Sequence, residues 1–399
     1  MIPPLRIIPP SPWSLASDPG TPFTAIFPAD DGLSLATAAC GLGIEREGGT
    51  ARVRGTREDL ARLAAALEAR TLPGAAELRR FLDAGPSWRL RSRTLDLSSP
   101  VIMGIINLTT DSFSGDGVGL DMEAALRRAE ALRAAGADIV DVGAETARAN
   151  RPVLHADDEA ARVAPVIVAL AGEGHTVSVD TYKPAVARAA LDAGAEIVND
   201  ISGLTAGEGA MHEAVRAGAA YVLNYSYSPP KRRPDPPPTY GDVVVETIAW
   251  FYERLAALGR AGLPHDQVAI DPGIAFGKSH DEDLQVLRRL GEFVGLGHPL
   301  LLAHSRKNVI GSVTGSEPAE RDLETHIVTA LAYSQGARVF RVHDVAGTRR
   351  ALRIAAAMST AAAGDFAPGA GTWPWAAGAT ASHAAAGEST VEAPRGQRW

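Results

Sequence analysis

The chain has a single cysteine, Cys40, in 399 residues. One thiol cannot form an internal disulfide, which excludes a disulfide-stapled scaffold and suits a reducing compartment. Also missing is any run of about 18 consecutive apolar residues, so no membrane-spanning helix is expected. Met1-Ile2-Pro3-Pro4 lacks the basic-then-apolar start of a signal peptide, and the expected location is the cytoplasm. There is no excess of basic charge: 39 Lys and Arg against 47 Asp and Glu leave a net charge of −8. A nucleic-acid partner would therefore need a local basic patch, and none stands out. The one short basic cluster, Lys231-Arg232-Arg233, reads as a solvated loop face. What is present is ordinary for a folded enzyme, with 46% hydrophobic and 22% charged residues.

The length exceeds one average domain and fits a barrel with a smaller module attached. From about Val101 the chain repeats a β-branched run, a polar or glycine turn, an Ala/Leu/Arg-rich helix and a Gly-Ala pair, the rhythm of parallel βαβ units. The strands expected are Val101–Asn107, Ala137–Gly143, Thr176–Asp180, Glu196–Asp200, Tyr221–Asn224, Val268–Asp271, Leu300–His304 and Val339–His343. Eight such strands predict a closed (β/α)8 TIM barrel over residues 96–360. In its first helix, Leu126, Ala129, Ala131 and Leu132 are expected on the buried face, with Arg127, Arg128 and Glu130 in solvent. Residues 1–95 lack the rhythm but hold an apolar run, Phe23–Phe27, before a helix, and Ala51–Arg54 before the helix start Thr56-Arg57-Glu58-Asp59. They read as a separate small α/β module. Residues 361–399, rich in Ala, Gly, Thr and Ser without periodicity, read as a disordered tail. Pro229–Pro238, with six prolines in ten residues, reads as a long loop after the fifth strand.

Parallel barrels take their chemistry from the carboxyl ends of the strands and the loops that follow. Polar residues gather there: Asn107, Glu145, Asp180, Asn199-Asp200, Asn224, Asp271, Ser305-Arg306-Lys307 and Arg341-Val342-His343-Asp344. Any one of them could simply cap the next helix; so many strand ends together point to a site. Asp180, Asn199 and Asp271 are short acceptors and amides suited to the edge of a flat heterocycle. Arg148, Lys307, Arg341 and His343, with Asn107 nearby, supply the positive charge and donors that a phosphate or diphosphate requires.

These residues lie in segments that resemble a known family. Met103-Gly104-Ile105-Ile106-Asn107-Leu108-Thr109-Thr110-Asp111-Ser112-Phe113-Ser114 and Asp138-Ile139-Val140-Asp141-Val142-Gly143-Ala144-Glu145 are similar to the two signatures of dihydropteroate synthases. Val179–Pro184, Ile197–Asp200, Asp271–Lys278, Ser305–Lys307 and Arg341–Val345 agree in order and spacing, from about Pro100 to Met358. The resemblance implies a transferase that joins 6-hydroxymethyl-7,8-dihydropterin diphosphate to p-aminobenzoate, releasing diphosphate and giving 7,8-dihydropteroate for folate biosynthesis. It implies that Asp180, Asn199, Asp271, Phe276 and Lys307 hold the pterin, and that Asn107, Arg148, Arg341 and His343 hold the diphosphate. Asn107 is also the expected ligand of a Mg²⁺ cofactor. Ser305 and Ala147 would face the aryl amine, and Asp180, Lys307, Arg341 and His343 would carry the catalysis. A homodimer acting only on small molecules is implied as well.

The chain departs from the family pattern in places. The second loop, normally Glu-Ser-Thr-Arg-Pro-Gly, reads Glu145-Thr146-Ala147-Arg148-Ala149-Asn150, so the threonine and proline near the amine are alanines. A Met-His-Met segment after the fifth strand is replaced by Asn224-Tyr225-Ser226, Ala303-His304 precedes the Ser-Arg-Lys motif, and Thr110 stands where proline is usual. Loop changes of this kind can alter substrate choice without disturbing a barrel. A paralogue with another arylamine acceptor, a pterin-dependent methyltransferase and an idle pterin-binding protein are the alternatives. The cationic residues of Ser305-Arg306-Lys307 and Arg341-Val342-His343 weigh against the methyltransferase, which has no diphosphate to hold.

Overall fold

The computed structural model describes residues 3–9, 22–109, 117, 119, 121–146, 152–232 and 234–360. The expectations for Thr110–Ser114, for Ala147, Arg148 and Ala149, and for the tail fall outside the described residues.

The amino-terminal segment forms an antiparallel sheet of β1 (Arg6–Ile8), β2 (Phe23–Pro28), β3 (Ile44–Glu47) and β4 (Thr50–Gly55), in the order β1-β2-β4-β3. Helices α1 (Asp31–Ala39), α2 (Arg57–Glu68) and α3 (Ala75–Asp83) accompany it. Alternation places Ala51, Val53 and Gly55 of β4 on the buried face. The predicted helix start is present as a capping box: the Thr56 hydroxyl accepts from Asp59 N, and the Asp59 carboxylate accepts from Thr56 N. Leu33, Ala36, Leu60, Leu63, Leu67, Leu78 and Phe81 complete the core of this module, against which Tyr252 and Val294 of the barrel pack. Ile7 sits so close to Gly295 that a Cβ there would lie 2.7 Å from the Ile7 Cβ, and Arg6 pairs with Glu292 at 2.7 Å. The strands β1 and β3 were not legible in the sequence.

A hairpin of β5 (Ser87–Arg89) and β6 (Thr94–Asp96) leads into the barrel. Its Trp88 is fully buried, donates from Nε1 to the Gln267 carbonyl at 3.1 Å, and shares a cluster with Val101, Met103, Ile139, Ile197, Val222, Ala269, Leu301 and Val339. Those residues open the barrel strands, so the hairpin plugs the amino end.

The barrel strands are β7 (Val101–Asn107), β8 (Ile139–Gly143), β9 (Val177–Asp180), β10 (Ile197–Asp200), β11 (Ala220–Asn224), β12 (Val268–Asp271), β13 (Leu301–Leu302) and β14 (Val339–Val342). All pair in parallel, in the order β12-β11-β10-β9-β8-β7-β14-β13, and a parallel bridge between Ile270 and Leu300 joins the two ends into a ring. Burial on both faces, as in β8 and β11 where every residue is buried, accounts for the near-continuous apolar runs. The outer helices are α4 (Met122–Ala135), α5 (Ala156–Gly172), α6 (Pro184–Asp192), α7 (Gly209–Ala217), α8 (Val243–Arg260), α9 (His280–Arg288), α10 (Asn308–Thr314), α11 (Asp322–Ser334) and α12 (Val345–Thr360).

All eight expected strands are present, with ends shifted by a residue or two. The largest change is at Leu300–His304, where only Leu301–Leu302 form a ladder. His304 instead turns its imidazole into α11, with Nε2 3.0 Å from both the Thr325 carbonyl and the Thr329 hydroxyl. The α4 face also needs correction. Ala125, Ala129 and Leu132 are its buried residues, Ala131 is exposed, and Arg128 is half-buried. The reason is a long-range bond, from Arg128 Nη2 to the His343 carbonyl at 2.8 Å.

Candidate active site

The carboxyl ends of the strands meet at one mouth, and Arg341 of β14 is central to it. Its Nε donates to Asp141 Oδ2 and its Nη2 to Asp180 Oδ2, each at 2.6 Å. Asn199 Nδ2 donates to the same Asp141 oxygen at 3.1 Å. Asp141 is fully buried, and among the described residues its Oδ1 has no hydrogen-bond partner. A buried carboxylate is costly unless paired, so a guanidinium fork between two of them is a mutual requirement. Burial pushes the Asp180 carboxyl up to about 7; Arg341 opposes the shift and Asp141 adds to it. Burial works against the Arg341 charge too, yet the two carboxylates hold its guanidinium above its ordinary value. Gly143 makes room here, since a Cβ on it would lie 3.2 Å from the Asp180 Cβ.

Across the mouth stand Asp271 at the end of β12 and Lys307 at the start of α10. Asp271 Oδ1 accepts from Gly273 N at 2.8 Å, and burial raises the carboxyl against the pull of Lys307. The Lys307 ammonium donates to the Ile274 carbonyl at 2.8 Å and lies 4.9 Å from the Phe276 ring centroid. Burial lowers its pKa, with Asp271 opposing. A second amine, Lys278, donates to the carbonyls of Pro272 and Gly273 at 2.9 Å and sits 3.8 Å from the Tyr225 ring centroid. Burial brings it down to about 7 against Asp283 and Asp271. Asp283, pushed up to about 6 by burial, accepts from Ala275 N with both oxygens. Ala275 has φ +70, a left-handed conformation disfavoured for alanine, so this carboxylate fixes the turn beside the pocket.

Ser305 Oγ and His343 Nδ1 are 2.8 Å apart, and His343 N donates to the same hydroxyl at 3.3 Å. The residue expected on the amine side and one expected on the diphosphate side therefore form one pair. Arg306 turns away, with φ +59 and both ends of its fork on Asp322. Asn107 is half-buried at the end of β7, in register with Gly143. Asn224 spends its amide on the carbonyls of Ile201 and Tyr225.

A third cluster lies at the base of the second loop. Glu145 accepts from Leu154 N at 2.7 Å, from the Tyr182 hydroxyl at 3.0 Å and from the ammonium of Lys183, which also reaches Glu159. Lys231 completes it at 3.1 Å from Glu145 Oε1. The expectation of a solvated Lys231 is thus corrected: its side chain is 5% exposed, because a charge that finds a buried carboxylate can leave water.

The sequence-predicted residues Asp180, Asn199, Asp271, Phe276, Lys307, Arg341, Ser305, His343 and Asn107 all border this mouth. Asp141, Lys278, Asp283, Lys183 and Glu159 were not singled out. The first carried a signal, since a lone carboxylate inside the apolar run Ile139–Gly143 is expensive to bury without a purpose. The others sit within helices or turns, where charge is unremarkable.

A family model described as pterin binding enzyme matches residues 103–343. The dihydropteroate synthase of Escherichia coli K12 is 38% identical over 269 residues, covering 67% of this chain and 95% of that one. A probable bifunctional folylpolyglutamate synthase/dihydropteroate synthase of Haloferax volcanii is 41% identical over 258 residues, and there the match spans 64% of this chain but 30% of the relative. Among solved structures, the Thermus thermophilus dihydropteroate synthase in complex with 4-aminobenzoate superposes with a TM-score of 0.62 at 40% identity, covering 68% of this chain and 99% of that one. On this agreement of fold and sequence, the chain belongs to the dihydropteroate synthase family.

Proposed function

We propose that the protein joins 6-hydroxymethyl-7,8-dihydropterin diphosphate to p-aminobenzoate, giving 7,8-dihydropteroate and diphosphate. The observation that carries this reading is the convergence of Asp180, Asn199 and Asp271 with Lys307 and Arg341 on one mouth. In the reaction the C–O bond between the pterin methylene and the diphosphate breaks, a C–N bond to the aryl amine forms, and the amine gives up a proton. Electron release from the ring assists departure, so the protein works by positioning and by stabilising the leaving charge.

Asp180, Asp271 and Asn199 present acceptors and an amide to the polar edge of the ring, with Lys307 completing that side against Phe276. His343, oriented by Ser305, Asn107 and Arg148 serve the diphosphate. Arg341, fastened to the ring-side carboxylates, links the two subsites. Among the described residues no group of three His, Cys, Asp or Glu side chains could hold a metal. The Asn107 amide oxygen at the end of β7, a hard donor beside the residues given to the diphosphate, is the protein group that would hold a Mg²⁺ ion, and the ion would supply positive charge for the departing diphosphate. Mass analysis after incubation with the pterin diphosphate, Mg²⁺ and p-aminobenzoate tests the reading: dihydropteroate is expected, and its absence would overturn it.

We further infer a homodimer, in the cytoplasm as the lone thiol suggests. On α11, Leu323, Ile327 and Leu331 follow one another at helical spacing and are 68%, 52% and 55% exposed; on the adjoining α12, Ile354 and Met358 are 64% and 60% exposed. A patch of this kind on packed helices marks an interface. Changing Leu331 to Glu is expected to give a monomer in analytical ultracentrifugation with the barrel still folded by circular dichroism. A dimer that survives the change would place the interface elsewhere.

A further inference from the structure

The segment joining β11 to α8 (residues 225–242) is fastened at both ends to the loop after β12. The Tyr225 ring packs edge-on against Trp250 with centroids 4.9 Å apart, and its hydroxyl lies 2.8 Å from that of Tyr240. Tyr240 donates in turn to the Gly277 carbonyl at 2.8 Å. Tyr227 lies so close to Gly277 that a Cβ there would be 2.4 Å from its own. Between these anchors the chain makes a tight turn, closed by Arg232 N to the Pro229 carbonyl at 3.1 Å and by Ser228 Oγ to the Arg232 carbonyl at 2.7 Å.

That turn reaches the far side of the mouth. In the barrel order β12-β11-β10-β9-β8, the loops of β10 and β9 stand between its origin and its destination. Pro230 shares a small cavity with Ile201 after β10, with Thr181 and Tyr182 after β9, and with Asp180. Lys231 then contacts Glu145 at 3.1 Å and donates to the Pro152 carbonyl at 2.6 Å, so one ammonium holds both ends of the loop that follows β8. Its φ of +64 is a conformation a lysine adopts at a cost, which the two contacts offset. The four charges of Glu145, Glu159, Lys183 and Lys231 cancel, which makes this cluster stable out of water.

We propose that residues 225–232, with Tyr240 as a second anchor, form a fixed strap across the mouth, and that Lys231 is a positioning residue that clamps it to the loop after β8 and so shapes the rim through which the arylamine enters. The ring-binding groups Asp271, Asn199 and Lys307 take their own partners elsewhere, in Gly273, Asp141 and Ile274, and Asp180, although it shares the small cavity with Pro230, is held by Arg341, so none of these side chains depends on a bond to Lys231. The inference rests on the transferase reading, and two measurements keep the two separate. In Lys231→Met, the KM for p-aminobenzoate is expected to rise about tenfold while that for the pterin diphosphate stays within about twofold. Hydrogen exchange at the Leu154 amide, which donates to Glu145, is expected to speed up about tenfold. Lys231→Arg should restore both. Equal rises in the two KM values, or no rise, would overturn the positioning role. If the unaltered protein forms no dihydropteroate, the transferase reading fails, and unchanged exchange at Leu154 in Lys231→Met would still overturn the clamp.

Discussion

An Arg341→Met variant is expected to lose about a hundredfold or more in kcat/KM and, unlike His343→Ala, to lose binding of a pterin that carries no diphosphate. The guanidinium is tied by both nitrogens to Asp141 and Asp180. Without it, Asp141 is left fully buried with only Asn199 as a donor, which costs about 3 kcal/mol of stability in comparable cases. His343 pairs instead with Ser305. Calorimetry with the bare pterin and steady-state kinetics with the diphosphate separate the two variants. Equal retention of bare-pterin binding in both would confine Arg341 to the leaving group and dissolve its bridging role.

The second large effect is expected at Asp180. Its carboxyl titrates at about 7, raised chiefly by burial. If the ionised form accepts the N–H donors of the pterin edge, kcat/KM for the pterin diphosphate should climb about tenfold per pH unit below that value and level off above it. Asp180→Asn should flatten this limb and lower the plateau by about a hundredfold, since an amide oxygen is the weaker acceptor and its N–H₂ faces donors. The same shift affects stability. The folded-state pKa lies above the unfolded one, so this group's contribution is complete below the ordinary aspartate range and is lost as pH rises through 7. The unliganded protein should therefore weaken between about pH 4 and pH 7, and the asparagine variant should weaken less. A limb that persists in Asp180→Asn would assign it to another group.

The barrel was legible because its signals are local. A β-branched run ending in a polar residue marks both a strand and its functional tip, so Asp180, Asn199 and Asp271 could be placed from sequence. The direction in which Arg341 points could not. It belongs to β14, and its partners stand on β8 and β9, so its choice of Asp141 over an anion depends on how the ring closes. Lys231 shows the opposite failure. Within a basic run it looks solvated, and only the path of the strap over β9 and β10 brings it to a buried Glu145. Lys278 and Asp283, five positions apart in sequence, also find each other through the loop they stabilise.

The tryptophan that closes the amino end of the barrel carries a kinetic consequence. With Trp88 and its hairpin wedged among the first residues of the strands, the site communicates with water from its opposite side. Incoming amine, departing diphosphate and finished product share one doorway. If His343 holds the diphosphate as proposed, an anion slow to vacate it would delay the next reactant however fast the bond is made.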